Sequence, residues 1–225
     1  MVKSKIYYHV FDIKTIENIN KLKNNGYIGE LNGPLGSGKE SYVFYSENHI
    51  GKPVAVKIHR HTIDTFKSIP TYLKLRGKDS KGFIRRIDDW TRYEFEFLSK
   101  AYSIGIKCPA PHRREGNVIV MDFIGKDGIP ADLLINKETV EERWYKKTID
   151  SIILMAKNRI IHGDLSPYNI MVMDDELYFI DFSQALAFSN NTISYLIRDI
   201  RNINDWFAKR GIKDIIDENE IMNRV

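Results

Sequence analysis

Ile160-Ile-His162-Gly163-Asp164-Leu-Ser-Pro167-Tyr-Asn169-Ile-Met-Val-Met-Asp174-Asp175-Glu-Leu177-Tyr-Phe-Ile180-Asp181-Phe182-Ser-Gln-Ala185 is the stretch around which this chain is organised. A short polar loop, Asp164 to Asn169, lies between apolar runs, and a tight turn at Asp174-Asp175 folds the strand Leu177 to Ile180 back on the strand before it. Asp181, ending that strand, therefore returns beside the loop. A carboxylate and an amide oxygen converging in this way are hard oxygen ligands suited to magnesium, which leans on one or two protein groups plus substrate phosphates. Asp164 is left to position a hydroxyl. An Asp, an Asn shortly after it and a later metal-binding Asp divide the work of kinase-type phosphoryl transfer in this manner. His-Gly-Asp alone reads equally as an ordinary turn and Ile-Asp-Phe as an ordinary strand end, so the compound pattern carries the inference.

The 225 residues allow one domain or two small lobes sharing a cleft, and 43% apolar with 12% aromatic content suffices for a packed core. Lys plus Arg number 34 against 30 for Asp plus Glu, a formal charge of +4. That mild excess permits a nucleic-acid partner without requiring one. The single cysteine, Cys108, excludes an intrachain disulfide and a multi-cysteine metal site, as suits a reducing cytosol. No run approaches a membrane span and the N-terminus lacks the apolar core of a signal peptide, so the expectation is a soluble cytoplasmic protein without a membrane partner.

Upstream, Lys5 to Phe11 alternates like a strand, and Ile13, Ile16, Ile19 and Leu22 recur at helical spacing until Asn25-Gly26. Gly33-Pro-Leu-Gly36-Ser37-Gly38-Lys39-Glu40-Ser41 resembles a Walker A loop at its glycines and lysine. That loop needs a helix after it, whereas Ser41 to Tyr45 is rich in β-formers. A glycine-rich hairpin covering ATP phosphates, with backbone amides and Ser37 as donors, fits better, and a plain turn is the alternative. Pro53 to His59 alternates as a strand with Val54, Val56 and Ile58 on one face and Lys57 on the other. Thr65 to Lys81 is polar and predicts a short helix and a mobile loop. A helix from Asp88-Asp89 to Ser103 carries Glu94 inside the apolar stripe Trp90, Phe97, Leu98 and Ala101, where a carboxylate needs a partner; Lys57 is the natural one. Arg113 to Asp122 predicts a hairpin turning at Gly116-Asn117, followed at Met121-Asp122-Phe123-Ile124 by a hinge whose backbone could read adenine. Helices are expected over Glu138 to Lys157 and Thr192 to Arg210, with a charged, fraying tail after Ile212.

These segments together resemble the RIO family of atypical kinases. The resemblance rests on Gly38-Lys39-Glu40-Ser41, Val56-Lys57-Ile58, Trp90-Thr91 with Glu94-Phe95, Val120 to Gly128, His162 to Ser166 with Tyr168-Asn169, Ile180 to Gln184, and Arg198-Asp199-Ile200 with Asn202-Ile203 and Phe207. It covers about residues 28 to 211. The short N-terminus is similar to the first type of the family, which lacks a winged helix. The resemblance implies an α+β, bilobal protein-kinase-like fold: an N-lobe antiparallel sheet plus helix over residues 31–122, after an extension over 1–30, and a reduced, mainly helical C-lobe over 123–225. Activation loop and substrate-binding helices are expected to be absent, since little chain follows Asp181 and no Ala-Pro-Glu occurs.

By the same resemblance, Ser37, Gly38 and Lys39 would cover ATP, Lys57 would bind its phosphates with Glu94 as partner, and Met121, the Asp122 carbonyl and the Ile124 amide would meet adenine. Asp164 would be the general base, Asn169 and Asp181 the ligands of magnesium, or of manganese in its place, and Asp181 the site of an aspartyl-phosphate. The implied reactions are transfer to a Ser or Thr hydroxyl, of a protein substrate or of the chain itself, and ATP hydrolysis. The implied partner is a pre-ribosomal small-subunit particle or its rRNA. Pro167 in place of an acidic residue, Ser41 in place of Ala and Phe182 in place of Val depart from the family pattern without removing a catalytic group. Small-molecule kinases and a tRNA-modification-associated kinase share His-Gly-Asp and Ile-Asp-Phe. The former need more C-terminal chain and the latter a basic tail, which Asn219 to Val225 does not supply. A non-catalytic assembly scaffold is the remaining alternative, opposed by the retention of Lys57, Asp164, Asn169 and Asp181.

Overall fold

The structure, a computed structural model, describes residues 11–37, 40–60 and 83–225. The strand expected over Lys5 to Phe11, apart from Phe11, and the helix and loop expected over Thr65 to Lys81 lie outside them. The chain divides into two compact units, Met1–Phe95 with Ala110–Phe123 and Glu96–Pro109 with Ile124–Val225.

In the first unit, α1 (Ile13–Asn24) starts at Asp12, whose carboxylate caps the helix by accepting from the Thr15 N–H at 2.9 Å. Its buried face is Thr15, Asn18, Ile19 and Leu22, whereas Ile13 is exposed. The apolar stripe expected from Ile13 is thus rotated, because Thr15 and Asn18 are drawn inward by hydrogen bonds to Asn117. Strands β1 (Asn32–Ser37), β2 (Ser41–Glu47), β3 (Pro53–His59), β4 (Pro111–Glu115) and β5 (Val118–Asp122) form one antiparallel sheet in the order β1-β2-β3-β5-β4. The segment after Lys39 is therefore a strand, which removes the Walker A alternative.

The central strand β3 is buried on both faces. Val54, Val56 and Ile58 join Ile19, Leu22, Ile28, Leu31, Phe44, Val118 and Val120 in one core. Fully burying such side chains stabilises by roughly 1.5–3 kcal/mol each. Ala55, Lys57 and His59 face the other way, where helix α2 (Phe83–Ser103) meets Lys57 through Glu94 and His59 through Glu94 and Trp90. Helix α2 begins at Phe83, before the Asp88 expected from the pattern.

The second unit carries three small sheets. Strands β6 (Gly125–Lys126) and β7 (Ile129–Pro130) pair, as do β9 (Ile160–Ile161) and β12 (Leu186–Ala187). Strands β8 (Asp132–Leu133), β10 (Ile170–Met173) and β11 (Glu176–Phe179) form the third, in the order β11-β10-β8. Asp174 and Asp175 both adopt positive φ, 49° and 65°, the conformation a two-residue hairpin needs for strands of right-handed twist. That turn fixes the register Ile170↔Phe179 and so sets Asn169 against Ile180. Helices α3 (Glu142–Lys157) and α4 (Ile193–Lys209) pack through Tyr145 and Phe207, whose ring centroids lie 5.4 Å apart.

The tail is folded rather than frayed. A further helix, α5 (Glu218–Asn223), buries Ile221, and the Tyr145 hydroxyl accepts from the Ile216 N–H at 2.8 Å. Ile215, Ile216, Ile221, Met222 and Val225 are scattered through the charged run without a helical period to reveal the contact.

Candidate functional site

Lys57 owes its place to the register of β3, which carries its side chain away from the Val54-Val56-Ile58 core and under α2. Its Nζ donates to Glu94 Oε1 at 2.6 Å, both residues being buried. The second oxygen, Oε2, accepts from His59 Nε2, also at 2.6 Å. The Lys57–Glu94 pair is the one expected from the sequence; His59, on the same strand face as Lys57, is a further member that the pattern of α2 does not announce. Ser37 ends β1, while its side chain, Gly38 and Lys39 lie outside the described residues.

Met121 and Asp122 close β5, where Met121 is paired with Ala55 of β3. The Asp122 N–H donates to the Ala110 carbonyl at 2.9 Å, and its carboxylate accepts from Lys52 Nζ at 2.7 Å and His112 Nε2 at 2.8 Å. These contacts tie the starts of β3 and β4 to the end of β5. Ile124 opens the second unit's share of the chain after Phe123, and its carbonyl accepts from the Ala131 N–H at 2.9 Å.

In the second unit the loop after β9 is held by α4. Asp199, 1% exposed, accepts from the Gly163 N–H at 2.7 Å and the Leu165 N–H at 2.9 Å. Arg198 donates to the Gly163 carbonyl and Asn202 to the Leu165 carbonyl. His162, buried against Phe182, donates through Nε2 to the Ile180 carbonyl at 3.0 Å, so the start of the loop and the end of β11 are joined. The sequence pointed to Arg198, Asp199 and Asn202 only as parts of a resemblance and assigned them no work. Asp199 falls three residues after Leu196 and four before Ile203, on the buried face of α4, a spacing that marks a carboxylate in need of a partner as it does for Glu94; the fold shows that partner to be the loop.

Between these supports stand Asp164, Asn169 and Asp181. The Asn169 Nδ2 group donates to the Asp164 carbonyl at 2.7 Å and, more weakly, to its Oδ2 at 3.4 Å. The Asn169 carbonyl accepts from the Ile180 N–H at 3.0 Å, placing Asn169 next to the residue that precedes Asp181. With its nitrogen spent on Asp164, the Asn169 amide retains its oxygen as an acceptor or ligand. Asp181 has φ 62° and ψ 72°, a left-handed conformation that costs a non-glycine residue of order 1–3 kcal/mol and is concentrated at functional sites. Its Oδ1 accepts from the Ser183 N–H at 3.2 Å.

Burial raises the half-buried Asp164 carboxyl above its ordinary value and the charge of Asp181 raises it further, while Arg198 and the Asn169 hydrogen bond pull it back. Two carboxylates close enough to oppose each other's ionisation, with an amide oxygen beside them, fit a hard divalent cation. Asp181 and Asn169 are the groups that would hold magnesium, which when bound would neutralise phosphate charge.

The model of the RIO domain matches residues 42–221. The RIO-type serine/threonine-protein kinase Rio1 of Methanocaldococcus jannaschii is 35% identical over 214 residues, spanning 90% of this chain and 71% of that one. The serine/threonine-protein kinase rio1 of Dictyostelium discoideum is 30% identical over 213 residues, again 90% of this chain but 37% of the relative, and human RIO1 is matched over 38% of its length. The chain thus spans well under half the length of these eukaryotic relatives. Among solved structures, the Rio2 kinase of Chaetomium thermophilum in complex with ADP, Mg2+ and phosphoaspartate superposes with a TM-score of 0.75 at 22% identity, covering 92% of this chain and 65% of that one. The fold is accordingly the kinase-like fold of Rio2. With the domain match running from β2 into α5 and an archaeal relative aligned over most of both chains, this chain belongs to the RIO family.

Proposed function

We propose that the chain is a serine/threonine protein kinase and ATPase that binds ATP with magnesium. The observation that carries this reading is the Asp164, Asn169 and Asp181 group. One carboxyl is raised by burial and oriented by an amide, and a second is held in a left-handed turn beside that amide. In this reading Lys57, steadied by Glu94, binds nucleotide phosphates, and the backbone at Asp122 and Ile124 meets adenine. Asp164 accepts the proton of an attacking Ser or Thr hydroxyl as its oxygen bonds to the γ-phosphorus and the bond to the β-phosphate oxygen breaks, releasing ADP.

The phosphoaspartate of the Chaetomium Rio2 complex supports a second outcome. The Asp181 carboxylate itself takes the phosphoryl group, and water then hydrolyses the acyl phosphate, giving net ATP hydrolysis. Action in small ribosomal subunit maturation, on a pre-ribosomal particle or its rRNA in the cytoplasm, is proposed from the family resemblance, and the +4 charge is compatible with it. No helix among the described residues is long and apolar enough to cross a membrane.

Single-turnover reaction with γ-labelled ATP tests the proposal. Label should transfer to protein, in a hydroxylamine-labile form that disappears in Asp181→Asn and a hydroxylamine-stable form on Ser or Thr, and EDTA should abolish both. Transfer undiminished in EDTA would overturn the metal assignment, hydroxylamine-labile label persisting in Asp181→Asn the aspartyl-phosphate, and absence of label on Ser or Thr of the chain or of any added protein the hydroxyl transfer. Sequencing of RNA crosslinked to the purified protein tests the ribosomal assignment, which fails if no small-subunit rRNA is enriched.

A further inference from the structure

We infer that His59 is a positioning residue for the phosphate-binding lysine, fixing the Glu94 carboxylate on which Lys57 rests. The inference builds on the reading of Lys57 and Glu94 just given. Glu94 is 3% exposed, and a carboxylate so placed is costly unless each oxygen has a donor. Lys57 Nζ supplies one to Oε1 and His59 Nε2 supplies one to Oε2, each at 2.6 Å. The terminal torsion of a glutamate is broad, so a carboxylate held at one oxygen can swing with its partner. Donors on separate oxygens remove that freedom. As the Lys57 ammonium is drawn toward phosphate oxygens, His59 keeps Glu94 both oriented and compensated.

The histidine is itself gripped on three sides. Trp90 precedes Glu94 by one turn on the same face of α2, and its ring lies 4.9 Å from that of His59, tilted by 43°. One helix thus holds the ring by its face and by its Nε2 edge. From the other side, the His59 N–H donates to the Asn117 carbonyl at 3.0 Å and the His59 carbonyl accepts from Asn117 Nδ2 at 2.8 Å. Asn117 is fully buried and is tied to α1 by Thr15 Oγ1 at 2.9 Å and Asn18 Nδ2 at 3.1 Å. An ionised carboxylate only accepts, so Nε2 carries the ring proton. Nδ1 is buried and has no hydrogen-bond partner among the described residues, so Nε2 is the ring atom that ties His59 to α2.

The test compares ATP kinetics and thermal melting of wild type, His59→Phe, His59→Gln and Lys57→Ala, with 15N NMR of the nucleotide-free wild type. Phe keeps a ring against Trp90 without a donor, and Gln returns an N–H at the reach of Nε2. His59→Phe should raise the KM for ATP by about tenfold or more, the scale of one charge-assisted hydrogen bond, with kcat changed less. His59→Gln should bring KM back to within about threefold of wild type, and NMR should show the Nε2–H tautomer. A His59→Phe protein with lowered melting temperature and unmoved KM would make His59 merely structural and overturn the inference, as would an Nδ1–H tautomer. If His59→Phe does not fold, His59→Gln decides: a near-normal KM supports positioning, and a tenfold rise in a folded protein refutes it. Lys57→Ala separates the two readings. An unchanged KM there removes Lys57 from phosphate binding, whereas a raised KM there with none in His59→Phe removes only His59.

Discussion

The Asp199 carboxylate accepts the Gly163 N–H at 2.7 Å, so the backbone in front of Asp164 is held by a side chain of α4. Its other oxygen takes the Leu165 N–H at 2.9 Å, and the two bonds flank Asp164 in the chain. Asp199→Ala should therefore leave two buried N–H groups without an acceptor, at about 1–3 kcal/mol each. Asp199→Asn keeps one acceptor oxygen and should lose less. Urea denaturation measures both, and unchanged stability in Asp199→Ala would show that the loop finds other acceptors.

The same residue makes stability depend on pH. Burial pushes the Asp199 carboxyl up to about 7, against the pull of the Leu165 and Gly163 N–H groups and of Arg198. The folded-state value then lies above the ordinary 3.8. Between the two, the native state keeps a proton that the unfolded chain has released. The contribution is thus complete below about 4 and lost as pH rises through about 7, at roughly 1.4 kcal/mol per unit at most. The unfolding free energy of wild type should fall from about pH 5 to about pH 7 relative to Asp199→Asn, whose amide does not titrate. Parallel curves would mean that the two N–H donors keep Asp199 ionised throughout.

The hairpin through Asp174-Asp175 and the strand bearing Lys57 were legible because turn residues and alternation are local signals. Local signals do not say what lies on the far side of an element. Alternation alone set Lys57 off the Val54-Val56-Ile58 face without showing that β3 is central and covered on both faces. Ile13 read as core, although it is exposed and Asn18 is buried through Asn117, distant in sequence. Asp199 and His59 carry polar contacts made across the fold, to a loop and to a helix. Helical spacing sets Asp199 on the buried face of α4 and strand alternation sets His59 beside Lys57, but neither period names the group that each side chain meets.

The C-terminal helix tests whether packing or charge holds the tail. Arg201 donates to both carboxylate oxygens of Glu218 at 2.6 and 2.7 Å, but the pair is exposed and screened, so Arg201→Ala should barely move the melting temperature. Ile221 is fully buried, and Ile221→Ala should cost about 2–5 kcal/mol. Limited proteolysis should then cut the tail of Ile221→Ala first. Equal susceptibility in Arg201→Ala would assign the anchoring to the ion pair instead.

The two aspartates of the candidate site are separable by titration. Burial is the larger cause of the raised Asp164 carboxyl and the charge of Asp181 the next, so removing that charge should lower the Asp164 pKa without restoring its ordinary value. Carbon NMR titration of the Asp164 carboxyl in nucleotide-free wild type and Asp181→Asn reads this directly, independently of turnover. An unchanged value would mean that Asp181 lies too far away or too well screened to act on Asp164. If Asp164 is the base, wild-type phosphoryl transfer must also lose rate as pH falls through that raised pKa, because the protonated carboxyl cannot accept the hydroxyl proton. Asp164→Asn should cut transfer by about two to four orders of magnitude and abolish the acidic limb of the profile, while ATP binding survives. Retention of both the rate and the acidic limb in Asp164→Asn would remove Asp164 from the chemistry, leaving Asn169 and Asp181 as a metal site without a base.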